Sequence, residues 1–216
     1  MAAGEAKQTL ADVANEWDEQ AEQWTSGEMG SFVLAFNKKA EELVRSKIEK
    51  LAEKDLMEFG AGHGVLGLAV ASECRSVHLV DIAPKMIEQA QRHVKAKGVE
   101  NVKASCCDIL TACPFEPASF DAIISGSVLT FAPDLPATIA KLAELTRPGG
   151  LHLHILFGTS SGELRPRGRS TDLCYGDGMT EAQLKDELEA GGMTPLEFGQ
   201  LKVDKDMEWM WCLARK

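Results

Sequence analysis

The segment Asp55-Leu-Met-Glu-Phe-Gly-Ala-Gly-His-Gly-Val-Leu-Gly67 constrains the fold more than any other stretch of the chain. A short apolar run that suits a buried strand passes straight into glycines at 60, 62, 64 and 67. Leu66, Val70 and Ala71 then set a helical period near 64–73. Glycines at such a turn let the backbone approach a ligand closely, and the helix N-terminus that follows presents free N–H groups. Strand, glycine turn and helix together make the unit of an α/β sheet. In such sheets ligands bind beyond the carboxyl ends of the strands, where strand order reverses.

The rest of the chain repeats the unit. Positions 77–81, 101–107, 120–125 and 151–157 read as further strands with helices between them. Pro84 suits the first turn of a helix, where its missing N–H costs nothing, and Gly98 sits just past that helix's end. A helix near 134–146 stops at Arg147-Pro-Gly-Gly150. After a polar stretch at 158–179, Thr180 and Gln183 form a capping box for a helix carrying Leu184 and Leu188. Two last strands, 196–203 and 208–214, are joined through Asp204-Lys-Asp206, a link short enough to impose a hairpin and turn one strand antiparallel.

In front of the sheet, Val13, Trp17, Ala21 and Trp24 form one stripe on a helix near 9–25. Gly27 and Gly30 break that helix, and Phe32, Phe36, Ala40, Leu43, Ile48 and Leu51 carry a second. The expected fold is therefore α/β: a doubly wound, mostly parallel seven-stranded sheet with helices on both faces. Residues 1–52 form an N-terminal helical cap or lid, and residues 53–216 a Rossmann-like unit.

Composition narrows the class. A chain of 216 residues can bury about 70% of its unfolded surface, so it needs neither disulfide nor metal staple. Hydrophobic residues at 44% and charged residues at 26% exclude a disordered or fibrous chain. No apolar run approaches the ~20 residues of a membrane helix, and 1–8 lacks the basic-then-apolar plan of a signal peptide, so a cytoplasmic protein without a membrane partner is expected. A net charge of −10 disfavours DNA as a partner. Cysteines 74, 106, 107, 113, 174 and 212 contain no C-x-x-C pair, and they read as reduced thiols with no metal site.

The chemistry belongs just after each strand. Glu58 precedes the glycine loop, and Asp81 closes the second strand, where a carboxylate can take both hydroxyls of a ribose. Asp108 follows the third strand, and Ser125-Gly126-Ser127 the fourth. Singly, each has a plain alternative: a tight turn for the glycines, a helix cap for Asp81, a turn residue for Asp108. In order, at the ends of four successive strands, they resemble the class I S-adenosylmethionine-dependent methyltransferases over about 55–150.

The resemblance implies strand order 3-2-1-4-5-7-6, with S-adenosylmethionine as cofactor and S-adenosylhomocysteine as product. It implies that Glu58, Gly60, Ala61, Gly62 and Gly64 wrap the methionine portion, that Asp81 binds the ribose and that Ile82 flanks the adenine. Met86 matches the family's helix-borne methionine. Asp108 matches the contact to the adenine amino group, with Ile109 beside it, and Ser125 borders the sulfonium and the acceptor. A nicotinamide or flavin dinucleotide is the alternative. However, a G-x-G-x-x-G read from Gly62 starts two residues late, and one read from Gly60 meets Val65. Glu58 also fits poorly beside a pyrophosphate and suits the methionine ammonium.

Methyl transfer from a sulfonium is an in-line displacement that depends chiefly on orientation. A base is needed mainly for a hydroxyl or protonated amine, so no catalytic residue is assigned. His63 reads as a solvated loop residue, His152 and His154 as packing or surface groups, Cys106 and Cys107 as inert, and Asp121 as structural. Trp17 and Trp24 could cover the cofactor mouth, and Arg165, Arg167 and Arg169 suggest an anionic acceptor. Ser125-Gly-Ser-Val128 stands where base and amide methylases carry Asn/Asp-Pro-Pro-Tyr. The expectation is a monomeric or homodimeric enzyme acting on a small molecule. A cofactor-binding regulatory or activating subunit, or a protein or RNA methyltransferase, is the alternative.

Overall fold

The structure is a computed structural model and describes residues 9–158, 178–203 and 209–216. Seven strands make one sheet: β1 Asp55–Phe59, β2 Ser76–Asp81, β3 Val102–Cys106, β4 Phe120–Gly126, β5 Thr146–Phe157, β6 Thr194–Leu201 and β7 Trp209–Arg215. Their order is β3-β2-β1-β4-β5-β7-β6, as expected. β1 to β5 pair in parallel, while β7 runs antiparallel to β5 and to β6. The order reverses between β1 and β4, and the crevice beyond their carboxyl ends is where a ligand belongs.

Among the described residues six α-helices accompany the sheet: α1 Leu10–Gln20, α2 Gly27–Lys47, α3 Val65–Val70, α4 Pro84–Lys97, α5 Leu135–Leu145 and α6 Glu181–Ala190. The central strands carry apolar residues on both faces because both faces are covered. Leu56, Leu79 and Ile124 pack under α2, α3 and α4, whereas Met57, Val80 and Ile123 pack under α5 and α6. Helix ends follow local chemistry. Thr9 and Asp12 form a capping box on α1, as do Thr180 and Gln183 on α6. Pro84 opens α4, and Gly98 closes it at φ 64°.

Across the amino-terminal ends of the strands, Arg147 lies 3.0 Å from Asp55 and 2.7 Å from Asp121, and Arg75 lies 3.1 Å from Asp121. Burial works against the Asp121 carboxylate, but the Asp55 N–H and the two guanidinium groups hold its pKa below the usual range. Asp121 is structural, as expected.

Three local expectations are corrected. α1 ends at Gln20, so Trp24 stands in the following turn. Gly27 opens α2, and Gly30 lies inside it. A Cβ on Gly30 would sit 2.3 Å from the Thr25 carbonyl carbon, so this glycine seats α2 on the incoming chain instead of breaking a helix. Arg147–Gly150 is a bulge within β5, where the register with β4 shifts, and not a turn ahead of the strand. The Asp204–Asp206 link, Cys174 and the arginines at 165, 167 and 169 lie outside the described residues. No described helix is long and apolar enough to cross a membrane.

Candidate active site

The glycine loop is anchored at its base and open at its tip. Gly60 and Ala61 donate their N–H groups to Val80 O at 2.8 and 2.9 Å, which ties the loop to the end of β2. Gly60, Gly62 and Gly64 all have positive φ, 69°, 51° and 73°. Their roles differ. A Cβ on Gly60 would meet Val128 at 2.2 Å and one on Gly64 would meet Leu79 at 2.5 Å, so these two positions serve close packing. A Cβ on Gly62 would enter the cavity, 3.3 Å from Trp24 Nε1 and 3.9 Å from Met86 Sδ. Gly64 does not line the cavity and serves as the N-cap of α3.

Three carboxylates line the cavity that this loop borders, and each also holds the backbone. Asp81 accepts from Gly62 N–H through Oδ2 at 2.8 Å and from Ala83 N–H through Oδ1 at 2.9 Å. Glu58 accepts from Gly67 N–H at 2.8 Å, satisfying a free donor in the first turn of α3. Asp108 accepts from Leu110 N–H at 2.8 Å and from Thr111 Oγ1 at 2.5 Å. Burial pushes the Glu58 carboxyl up to about 8, and the neighbouring Asp81 adds to that while the Gly67 N–H opposes it. Burial also raises Asp81, against backbone N–H bonds from Ala83, Gly62 and Ile82. Two such carboxylates at one cavity make a strong site for a cation or a set of hydroxyl donors.

One cavity is lined by Glu58, Gly60, Ala61, Gly62, Asp81, Ile82, Met86, Asp108 and Ile109. Sequence reasoning placed all nine there. Trp17 and Trp24 line it too, from α1 and the turn after it. Their rings meet edge to face at 5.4 Å, and Trp17 meets Phe131 at 5.2 Å. With Ala21, Ala83 and Met86 they form a small apolar cluster of their own.

His63 corrects the expectation of a solvated residue: it is 3% exposed. Its Nε2–H donates to Ala21 O at 2.8 Å, and Nδ1 accepts from Thr25 Oγ1 at 3.2 Å. Burial lowers its pKa, the Ala21 bond opposes that, and the charge of His93 adds to it. The loop histidine thus fastens α1 over the glycine loop. A second fastening is the Lys85 N–H bond to Asp18 Oδ1 at 2.8 Å.

Ser125 is also corrected, since it does not line the cavity. Its Oγ turns into the layer under α5 and donates to His154 Nδ1 at 2.7 Å. His154 Nε2 and His152 Nδ1 lie 3.2 Å apart, and His152 Nε2 lies 2.7 Å from Thr146 Oγ1, which donates to Leu142 O. Because Thr146 donates onward, His152 Nε2–H donates to it, and with both imidazoles neutral His154 Nε2–H donates to His152 Nδ1. Burial lowers both pKa values, that of His154 to about 4. The pair packs in the core, as one of the two expected roles had it.

In the far half of the cavity, sequence reasoning pointed to Ser125-Gly126-Ser127 and missed the rest. There α2 contributes Phe32, Phe36 and Asn37, the end of β4 gives Gly126, Ser127 and Val128, and β7 gives Trp209. Phe32 and Phe36 were visible as an apolar stripe, but periodicity cannot say that a stripe faces a cavity. Trp209 carried no signal, because its place depends on β7 inserting beside β5.

Residues 56–150 match the methyltransferase domain family. A malonyl-[acyl-carrier protein] O-methyltransferase from Halorhodospira halophila is 32% identical over 99 residues, 46% of this chain and 32% of that protein. A ubiquinone biosynthesis O-methyltransferase from Xanthomonas euvesicatoria is 29% identical over 142 residues, 65% of this chain and 56% of that protein. The chain thus spans between a third and just over half of the length of these curated relatives. Among solved structures, the 1,6-didemethyltoxoflavin-N1-methyltransferase of Burkholderia thailandensis, with 1,6-didemethyltoxoflavin and S-adenosylhomocysteine bound, superposes with a TM-score of 0.78 at 18% identity. It covers 99% of this chain and 93% of that one. Strand order and the glycine loop with its acids agree with the resemblance to the class I S-adenosylmethionine-dependent methyltransferases, and residues 56–150 match their methyltransferase domain.

Proposed function

We propose that the protein transfers the methyl group of S-adenosylmethionine to a small-molecule acceptor. The observation that carries this reading is one cavity lined by the glycine loop and three carboxylates together with a set of uncharged side chains from α2, the end of β4 and β7. The residues present fit the cofactor. The space that a Cβ on Gly62 would fill is open to it, and the carboxylates complement its ammonium, ribose hydroxyls and adenine amino group.

In this reading Asp81 takes the ribose hydroxyls, Glu58 neutralises the methionine ammonium, and Asp108 with Ile82 and Ile109 holds the adenine. When bound, the cofactor supplies an electrophilic methyl group on a sulfonium. The chain's own contribution is to align the acceptor with that methyl and exclude water, which in well-oriented reactions is worth up to roughly 7–11 kcal/mol. The N-terminal cap acts as the lid through α1 and α2, with Trp17 and Trp24 covering the cofactor half and His63 holding them down. The small-molecule assignment draws support from the Burkholderia neighbour, which holds its acceptor and S-adenosylhomocysteine together. The reaction belongs in the cytoplasm, with the protein as monomer or homodimer.

Calorimetry with S-adenosylmethionine, S-adenosylhomocysteine and NADH tests the assignment. Wild type should bind the first two with micromolar affinity, about −8 kcal/mol. Asp81→Ala should lose roughly 1.5–3 kcal/mol of that as two charge-assisted hydrogen bonds disappear. Tight NADH binding, or an unchanged Asp81→Ala, would overturn it. Transfer of labelled methyl to members of an acceptor panel separates an enzyme from a non-catalytic subunit.

A further inference from the structure

We infer that the acceptor is a neutral aromatic molecule carrying one hydroxyl or N–H donor, held against a wall of Phe32, Phe36 and Trp209 and read by Asn37. This inference rests on the methyltransferase reading and specifies its second substrate.

The wall is built from elements far apart in the chain. The Phe36 and Trp209 rings lie 4.6 Å apart at 47°, and Phe32 meets Trp209 at 6.0 Å and 33°. Phe36 rests on the end of β4: a Cβ on Gly126 would approach its ring to 3.0 Å. The ring therefore sits on the strand end that follows the crevice, where only a glycine leaves it room. Aromatic surfaces of this kind favour another ring, edge-on or offset, over an aliphatic chain of equal area.

Charge selects further. Every described side chain that lines this half of the cavity is uncharged. An anionic acceptor would give up its hydration there with no described cation opposite it. Asn37 supplies the polar contact. Its Nδ2 donates to Val33 O at 2.8 Å, which fixes the amide and leaves Oδ1 as an acceptor on a largely apolar helix face. A hydroxyl or N–H on the ring is the partner that satisfies it. The expectation of an anionic acceptor drew on arginines that lie outside the described residues. The described wall points the other way.

The test titrates the full chain, with and without saturating S-adenosylhomocysteine, using 2-naphthol, 2-naphthoate and naphthalene, read by calorimetry and tryptophan fluorescence. The naphthol should bind about tenfold tighter than the naphthoate and roughly fivefold tighter than naphthalene. Asn37→Leu should abolish the preference for naphthol over naphthalene. Phe36→Ala should weaken both by roughly tenfold, with Phe32→Leu as the milder variant if the first melts. Naphthoate binding as tightly as naphthol, or an Asn37→Leu protein that keeps the preference, overturns the inference. Failure to bind S-adenosylhomocysteine would refute the methyltransferase reading instead, and the titrations without it would still test the wall.

Discussion

Glu58 is only 4% exposed, and burial lifts its pKa from an ordinary 4.5 to about 8. Between those two values the folded protein keeps the carboxyl protonated while the unfolded chain ionises it. The native state then binds more protons than the unfolded state, so stability falls as pH rises through the window. Glu58→Gln removes the ionisation but keeps an oxygen to accept the Gly67 N–H bond. Its stability relative to wild type should therefore rise by up to about 1.4 kcal/mol per pH unit, or about 2 kcal/mol in total from pH 6.5 to 8.5. For a chain of this length that is roughly 4–8 °C in Tm. This interval also avoids the buried histidines, whose linkage acts below pH 6.5. Thermal melts of both proteins without cofactor, at the two pH values, measure the effect. A Tm difference that stays constant between pH 6.5 and 8.5 would refute the argument. Function should move the opposite way. With its ammonium unpaired, S-adenosylhomocysteine should bind Glu58→Gln at least tenfold more weakly. Wild type should release a proton on binding at pH 7, read from calorimetry in buffers of different ionisation heat, and the variant should release none.

Other outcomes follow from the same geometry. His154 titrates near 4 when folded and near 6.5 when unfolded, so its contribution is present above 6.5 and is lost as pH falls towards 4, about 3 kcal/mol in all. His154→Leu should flatten acid melting over that range while costing about 1–3 kcal/mol at pH 7, because Ser125 and His152 lose their partners. Gly60→Ala meets Val128 and a positive φ together, and should cost about 1–3 kcal/mol by denaturant melts along with cofactor binding. His63→Ala removes the fastening on Ala21 and Thr25. Hydrogen exchange across 10–25 should quicken and S-adenosylhomocysteine should bind several-fold more weakly, whereas unchanged exchange would mean that His63 does not hold α1 down.

Much of the cofactor half was readable because its signals are local. Glycines 60 and 62 sit at positive φ, a requirement set within a few residues. Asp81 and Asp108 stand where a strand ends, and alternating apolar runs mark where strands end. Capping chemistry placed α4 and α6 for the same reason: Pro84, Gly98 and Thr180 act on their own turns. What the sequence could not decide is which way a side chain faces once layers meet. Ser125 stands beside the cavity in order of residues, but the pleat points it to His154, and the next three residues line the cavity in its place. His63 looks like a loop residue until the chain at Ala21 and Thr25 and the ring of His93 close around it. Phe36 and Trp209 are 173 positions apart and meet only because β7 inserts between β5 and β6, so their wall is a product of topology. Periodicity determines that a face is apolar; only the tertiary structure decides whether it meets a neighbouring helix or an open cavity.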